Sequence, residues 1–115
     1  MPVIRLVMIG ALTVAAACSS STSPSGSSGG GHSTALTVTN NSFSPTPDTV
    51  PAGQVTFTWT AASNGHNVTW LTGPGTLPTN SSTMTTGTYP ATLVVGTYTY
   101  HCTIHSGMNG TIVVQ

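Results

Sequence analysis

The chain has 115 residues, which sets a ceiling of one domain. One basic residue, Arg5, and one acidic residue, Asp48, make up 2% of it, against roughly 25% in an average soluble domain. That balance excludes nucleic-acid binding through a basic patch, glycoside hydrolysis by paired carboxylates, and carboxylate cages for calcium or magnesium.

Arg5 precedes a short apolar run, "LVMIGALTVAAA" (Leu6 to Ala17), which ends in small residues. The run is too short to span a membrane and has the form of a secretory signal. Cys18 follows at once. "AAAC" resembles the lipobox of bacterial lipoproteins, in which the cysteine becomes the lipidated first residue of the mature chain, although Ala15 stands where that motif favours Leu. Residues 1–17 are therefore expected to be a signal peptide and Cys18 a lipid attachment site. "SSSTSPSGSSGGGHS" (Ser19 to Ser33) is a Ser/Gly linker that cannot bury apolar surface and reads as a flexible coil. Residues 18–33 are thus the expected anchor and tether, and His32 within them a solvated residue. Cys18 and Cys102 are the only cysteines. A bridge to the tip of a tether would hold little together, so no disulfide is expected.

From Thr34 the texture changes, and residues 34–115 form the expected folded domain. "TALTVTN" alternates Leu36 and Val38 against threonines. "QVTFTWT" sets Val55, Phe57 and Trp59 on one face. "HNVTW" does the same with His66, Val68 and Trp70, and "TYTYHC" with Tyr98, Tyr100 and Cys102. "GTIVVQ" closes the chain. The turn signals "SPTPD", "PAGQ", "SNG", "GPGTLP" and "VVGT" separate these runs. Short alternating strands with frequent Gly and Pro predict an all-β, antiparallel sandwich or barrel. Trp59, Trp70, Tyr98 and Tyr100 are expected in the core, with a tyrosine corner as the alternative for Tyr98. Met84 is expected to fill a gap.

Soft donors gather near the end of the chain, in "HCTIHSGM". Cys102, His105 and Met108 are spaced C-x2-H-x2-M on a tight loop between two strands. A thiolate and imidazoles with a weak thioether suit copper in both oxidation states. Zinc takes four firm N, S or carboxylate ligands and rarely a thioether. One more nitrogen is needed, and "GHNVTW" offers His66 at a strand head.

Residues 35–115 resemble the cupredoxins, the small blue-copper proteins, through "GHNVTW" and "GTYTYHCTIHSGMNGTIVV". The loop spacing is most similar to amicyanin, in the plastocyanin-like branch, and "NSFSPTPDTVPAGQVTFTW" fits the family's first strands. The resemblance implies a Greek-key β-sandwich holding one copper ion. His66, Cys102 and His105 would be its equatorial ligands and Met108 its weak axial one. Asn67 would tie the His66 loop to the Cys102 loop by hydrogen bonds. Ile104, His105 and Gly107 would form part of the apolar rim where electrons enter and leave. The implied function is one-electron transfer between redox partners, not catalysis.

His101 points away from Cys102 by strand alternation. It is expected at the surface, on an electron route. Many relatives dock through charged patches, which this chain lacks. Its partners, cytochrome c-type or copper- or quinone-linked enzymes, would be met through an uncharged apolar patch by a monomer. The expected location is a bacterial membrane, through the lipid anchor only, facing the periplasm or cell exterior. A copper carrier without redox shuttling is the alternative. A Cys/His hydrolase lacks an acidic residue to orient its base, and a metal-free surface-display sandwich leaves the ligand set without a purpose.

Overall fold

The computed structural model describes residues 32–60 and 64–115. The signal segment, Cys18 and the linker up to residue 31 lie outside the described residues. The strands are β1 (Ala35–Thr39), β2 (Ser42–Ser44), β3 (Asp48–Val50), β4 (Gly53–Trp59), β5 (Thr69–Thr72), β6 (Gly87–Leu93), β7 (Gly96–His101) and β8 (Asn109–Val114). They form two four-stranded sheets, ordered β2-β1-β4-β6 and β3-β8-β7-β5. No helix occurs among the described residues.

The alternating runs bury the faces that their sequence predicts. Leu36, Val38, Val55, Phe57, Trp59, Tyr98, Tyr100, Ile112 and Val114 all face inward. The threonines between them face out, because successive strand residues point to opposite faces. Tyr100 is the hub of the core. Its ring meets Phe43 at a centroid distance of 4.9 Å and Phe57 and Trp70 at 5.3 Å each, all edge-on. Edge-to-face pairs of this kind contribute about 0.5–1.5 kcal/mol each beyond their buried area. Tyr98 forms the tyrosine corner, its hydroxyl accepting the Val94 N–H at 3.1 Å.

The sandwich departs from the expected pattern in three places. β1 runs parallel to β4 and β3 parallel to β8, rather than antiparallel. Alternation says which face a residue takes and not which strand lies beside it. The intervening segments are long enough for the crossovers that parallel pairs need. β6 carries no sequence signal because Pro90 interrupts it. It is tolerated because β6 is an outer strand of its sheet. In "HNVTW" the strand begins only at Thr69, and His66, Asn67 and Val68 are all buried rather than alternating. His66 is instead held in an isolated bridge to Met84, which packs against the core.

Register separates the two ends of the sandwich. At one end Trp59 lies opposite Gly87, Thr69 opposite His101, and His101 opposite Asn109. At the other, Gly53 lies opposite Leu93 and Gly96 opposite Val114, while the Gln115 N–H bonds the Val50 carbonyl at 3.0 Å.

Asp48, the chain's one acid, is fully buried. Its Oδ1 accepts the N–H groups of Thr49 (2.9 Å) and Ser33 (3.2 Å). Its Oδ2 and the Tyr100 hydroxyl have no hydrogen-bond partner among the described residues. Burial, and then the Asp48 charge, push the Tyr100 phenol well above its usual range. Gly110 lies directly under the Tyr100 ring, where any Cβ would collide with Cζ and the hydroxyl. Gly110→Ala is therefore expected to lower stability by about 1–3 kcal/mol through overpacking. Tyr100→Phe, which removes an unpaired buried hydroxyl, is expected to leave stability unchanged or raised. Thermal and denaturant unfolding of the two variants checks both.

Candidate metal centre

Three strand ends converge at the first of these ends. β5 and β7 are antiparallel neighbours, so the residues just before β5 stand beside those just after β7. His66 and Cys102 occupy those two positions. β8 pairs with β7 from Asn109, so the segment from Cys102 to Met108 must turn back within a few residues. Two backbone bonds close it: Cys102 N–H to the Met108 carbonyl (3.0 Å) and Met108 N–H to the His105 carbonyl (3.2 Å). Gly107 takes a positive φ of 84° in this turn, a conformation that glycine adopts at little cost.

The turn brings three donor atoms together. Cys102 Sγ lies 3.9 Å from His66 Nδ1 and 3.9 Å from His105 Nδ1. All three atoms lie within 4.8 Å of one another. With two separations of 3.9 Å and the third no longer than 4.8 Å, a common centre lies about 2.3–2.5 Å from each, close to the length of a transition-metal bond to thiolate or imidazole. His66 and Cys102 are buried, and His105 is half-buried. Met108 is buried at the loop's end. A thiolate, an imidazole and a thioether from this closed loop, with the His66 imidazole from the segment before β5, fit one copper ion.

The surrounding hydrogen bonds fix the ligands before any metal arrives. The His66 N–H donates to the Met84 carbonyl (3.0 Å), and the His66 carbonyl accepts from Met84 N–H (2.9 Å) and Trp59 Nε1 (3.0 Å). Its imidazole Nε2 donates to Asn40 Oδ1 at 3.4 Å. An amide oxygen only accepts, so this contact favours the tautomer with its proton on Nε2 and the Nδ1 lone pair facing the thiol. Burial, reinforced by the neighbouring His105, holds the His66 imidazole below its usual value and so in the neutral form a metal needs. Asn67 uses its whole amide. Nδ2 donates to Thr83 Oγ1 (3.1 Å) and Thr103 Oγ1 (2.7 Å). Oδ1 accepts from Thr69 Oγ1 (3.2 Å) and the Thr103 N–H (3.0 Å).

Of the other residues singled out by the sequence, Ile104 and Gly107 are exposed beside half-buried His105. His101 is half-buried on the opposite side of β7 from Tyr100. His32 is exposed and far along the chain from the centre, and Cys18 lies outside the described residues. Sequence reasoning missed Asn40, Thr83 and Thr103, and placed Trp59 in the core without its bond to the His66 carbonyl. Asn40, Thr83 and Thr103 act through bonds to distant segments, and no spacing rule announces such bonds.

Comparison with known proteins places this geometry. The sequence matches the family model of the cupredoxin-like domain over residues 8–114. No curated protein matches it. Among solved structures it resembles a reduced single-site mutant of amicyanin, at 30% identity and TM-score 0.57, covering 70% of this chain and 80% of that one. A purple cupredoxin from Nitrosopumilus maritimus matches in fold at 23% identity and TM-score 0.60, over 70% of this chain and 98% of that one. A copper-containing nitrite reductase from Thermus scotoductus matches at 25% identity and TM-score 0.58, over 70% of this chain. This chain spans only 22% of that reductase.

Two outcomes follow from the geometry. Asn67→Ala strips the Thr103 N–H of its partner. It is expected to lower stability by about 1–3 kcal/mol and copper affinity roughly 10- to 100-fold, read by denaturant titration and chelator competition. The depressed His66 value also sets a sign for the copper-free protein. Below about pH 6.5 the unfolded chain binds a proton that the folded His66 resists, so stability falls as pH drops through that value and below. Unfolding free energies at pH 7.5 and pH 5 check it, and His66→Asn is expected to flatten the difference.

Proposed function

The chain is a member of the cupredoxin-like domain family, and from that membership we propose that it is a membrane-tethered carrier of single electrons. The observation that carries the reading is the convergence of Cys102 Sγ with the two Nδ1 atoms at 3.9 Å. Bound copper supplies interconversion between Cu(I) and Cu(II) in a donor set that suits both.

The chain's own residues account for the rest. His66, Cys102 and Met108 are buried and their segments cross-bonded, which argues for a metal that is kept rather than handed on. A ligand set fixed by strand ends moves little when an electron arrives, and small reorganisation favours fast transfer. Half-buried His105 stands next to Ile104, which is 51% exposed. That pair offers a short path from ligand to partner. His101 provides a second approach along β7. The proposal is a carrier and not an enzyme, as the similarity to amicyanin implies.

The docking face follows from charge. Among the described residues the one charged side chain, Asp48, is buried. Recognition by a cytochrome c-type or copper- or quinone-linked partner would rest on apolar contact with a monomer. The leader-like run before Cys18 supports export and a lipid anchor, with the domain in the periplasm or at the cell exterior.

Electrochemistry of the copper-loaded chain tests this reading. A reversible one-electron wave is expected, lost in Cys102→Ser and shifted to lower potential in Met108→Gln with copper retained. A wave that survives Cys102→Ser contradicts the assignment. The rate of electron exchange with a cytochrome c is expected to change less than about threefold between low and high salt, since steering needs surface charge.

A further inference from the structure

The end of the sandwich away from the metal centre carries an apolar tip that the fold does not use. Val94 and Val95 form the β6–β7 turn and are 56% and 65% exposed. Gly53 lies opposite Leu93 in the β4–β6 ladder. That register sets the β3–β4 turn, with exposed Pro51 and Ala52, beside the two valines. No charged side chain is exposed there among the described residues.

The N-terminal segment leaves the domain at this same end. His32 and Thr34 line a shallow hollow with Val50, Pro51 and Gln115. The exit is fixed by the chain's one acid, since the Ser33 N–H is held by buried Asp48. The tether to Cys18 therefore starts from the Val94–Val95 end and not from the His105 end.

We propose that the Val94–Val95 tip, flanked by Pro51 and Ala52, is a bilayer-contact surface that sets the metal-bearing end away from the membrane. This rests on the proposed lipid anchor at Cys18. From Cys18 to His32 the chain reaches at most about 50 Å, so the anchor holds the lipid surface near the domain at an effective concentration on the order of millimolar, and the exit point and the apolar tip together favour this end. Two valines would not bind a membrane from free solution, but a tethered domain needs only a weak preference to settle one way round. The contact carries no surface charge, so it is indifferent to anionic lipid.

The test uses the full chain as exported and processed by a bacterial host, reconstituted in phosphatidylcholine vesicles doped with a gadolinium-headgroup lipid. Copper is kept reduced so that it adds no paramagnetism. Flotation reads the anchor, and NMR line broadening reads the facing. The expected result is flotation, with the Val94, Val95 and Ala52 amides broadened several-fold more than those of Ile104 and Gly107. The double variant Val94→Asp, Val95→Asp is expected to float equally well and lose that difference. Flotation with equal broadening at both ends overturns the facing while leaving the anchor standing. Failure to float overturns the anchor and the facing with it. A doubled mass in solution that the double variant abolishes assigns the tip to self-association and also overturns the proposal.

Discussion

Everything at the metal centre depends on one side chain that touches no metal. Asn67 makes every hydrogen bond an amide can make, two given and two received. Two of them reach Thr103, 36 residues away and next to Cys102. Without that clamp, His66 and Cys102 would be only the ends of neighbouring strands, free to splay. With it, the thiol and imidazoles are held at bonding distance of a common point. A buried, fully satisfied polar group is also selective, because any rearrangement strands a donor or acceptor away from water. The Asn40 contact to the His66 ring extends the same logic. It favours the proton on Nε2, and the backbone bridge to Met84 fixes where the residue stands.

The scarcity of charge runs through the rest of the molecule. A chain with one acid buries it completely and spends one carboxylate oxygen on the backbone of β3 and of the incoming tether. The outer faces of both sheets are left mainly to threonines and serines, with Leu71 exposed on β5. Solubility and docking must then both work without long-range fields. The two ends of the sandwich are unlike in consequence. One offers His105 and Ile104 around a buried donor set, and the other offers valines and the exit of the tether.

The sequence made the faces of the strands legible but not their neighbours. In β4, β7 and β8 the strict alternation of Val55, Phe57 and Trp59, of Tyr98 and Tyr100, and of Ile112 and Val114 marks the buried side unambiguously. It carries nothing about β1 lying parallel to β4, because pairing is settled by the whole core at once. β6 was hidden by Pro90, and β2 and β3 by a proline-rich stretch of three-residue strands. At the centre, Cys102, His105 and Met108 could be read from spacing, since a tight loop forces residues three apart together. His66 required the motif around it. Asn40, Thr83 and Thr103 could not be read, because a hydrogen bond between remote segments leaves no local pattern.

The central claim is that the fold presents a preformed two-nitrogen, one-sulfur set to a single copper ion. Titrating the copper-free mature chain with Cu(II) and following visible absorption tests it most directly. The account predicts an intense blue or green thiolate-to-copper band that saturates at one equivalent and is bleached by ascorbate. A colourless product, or a band that keeps growing past one equivalent, would contradict it.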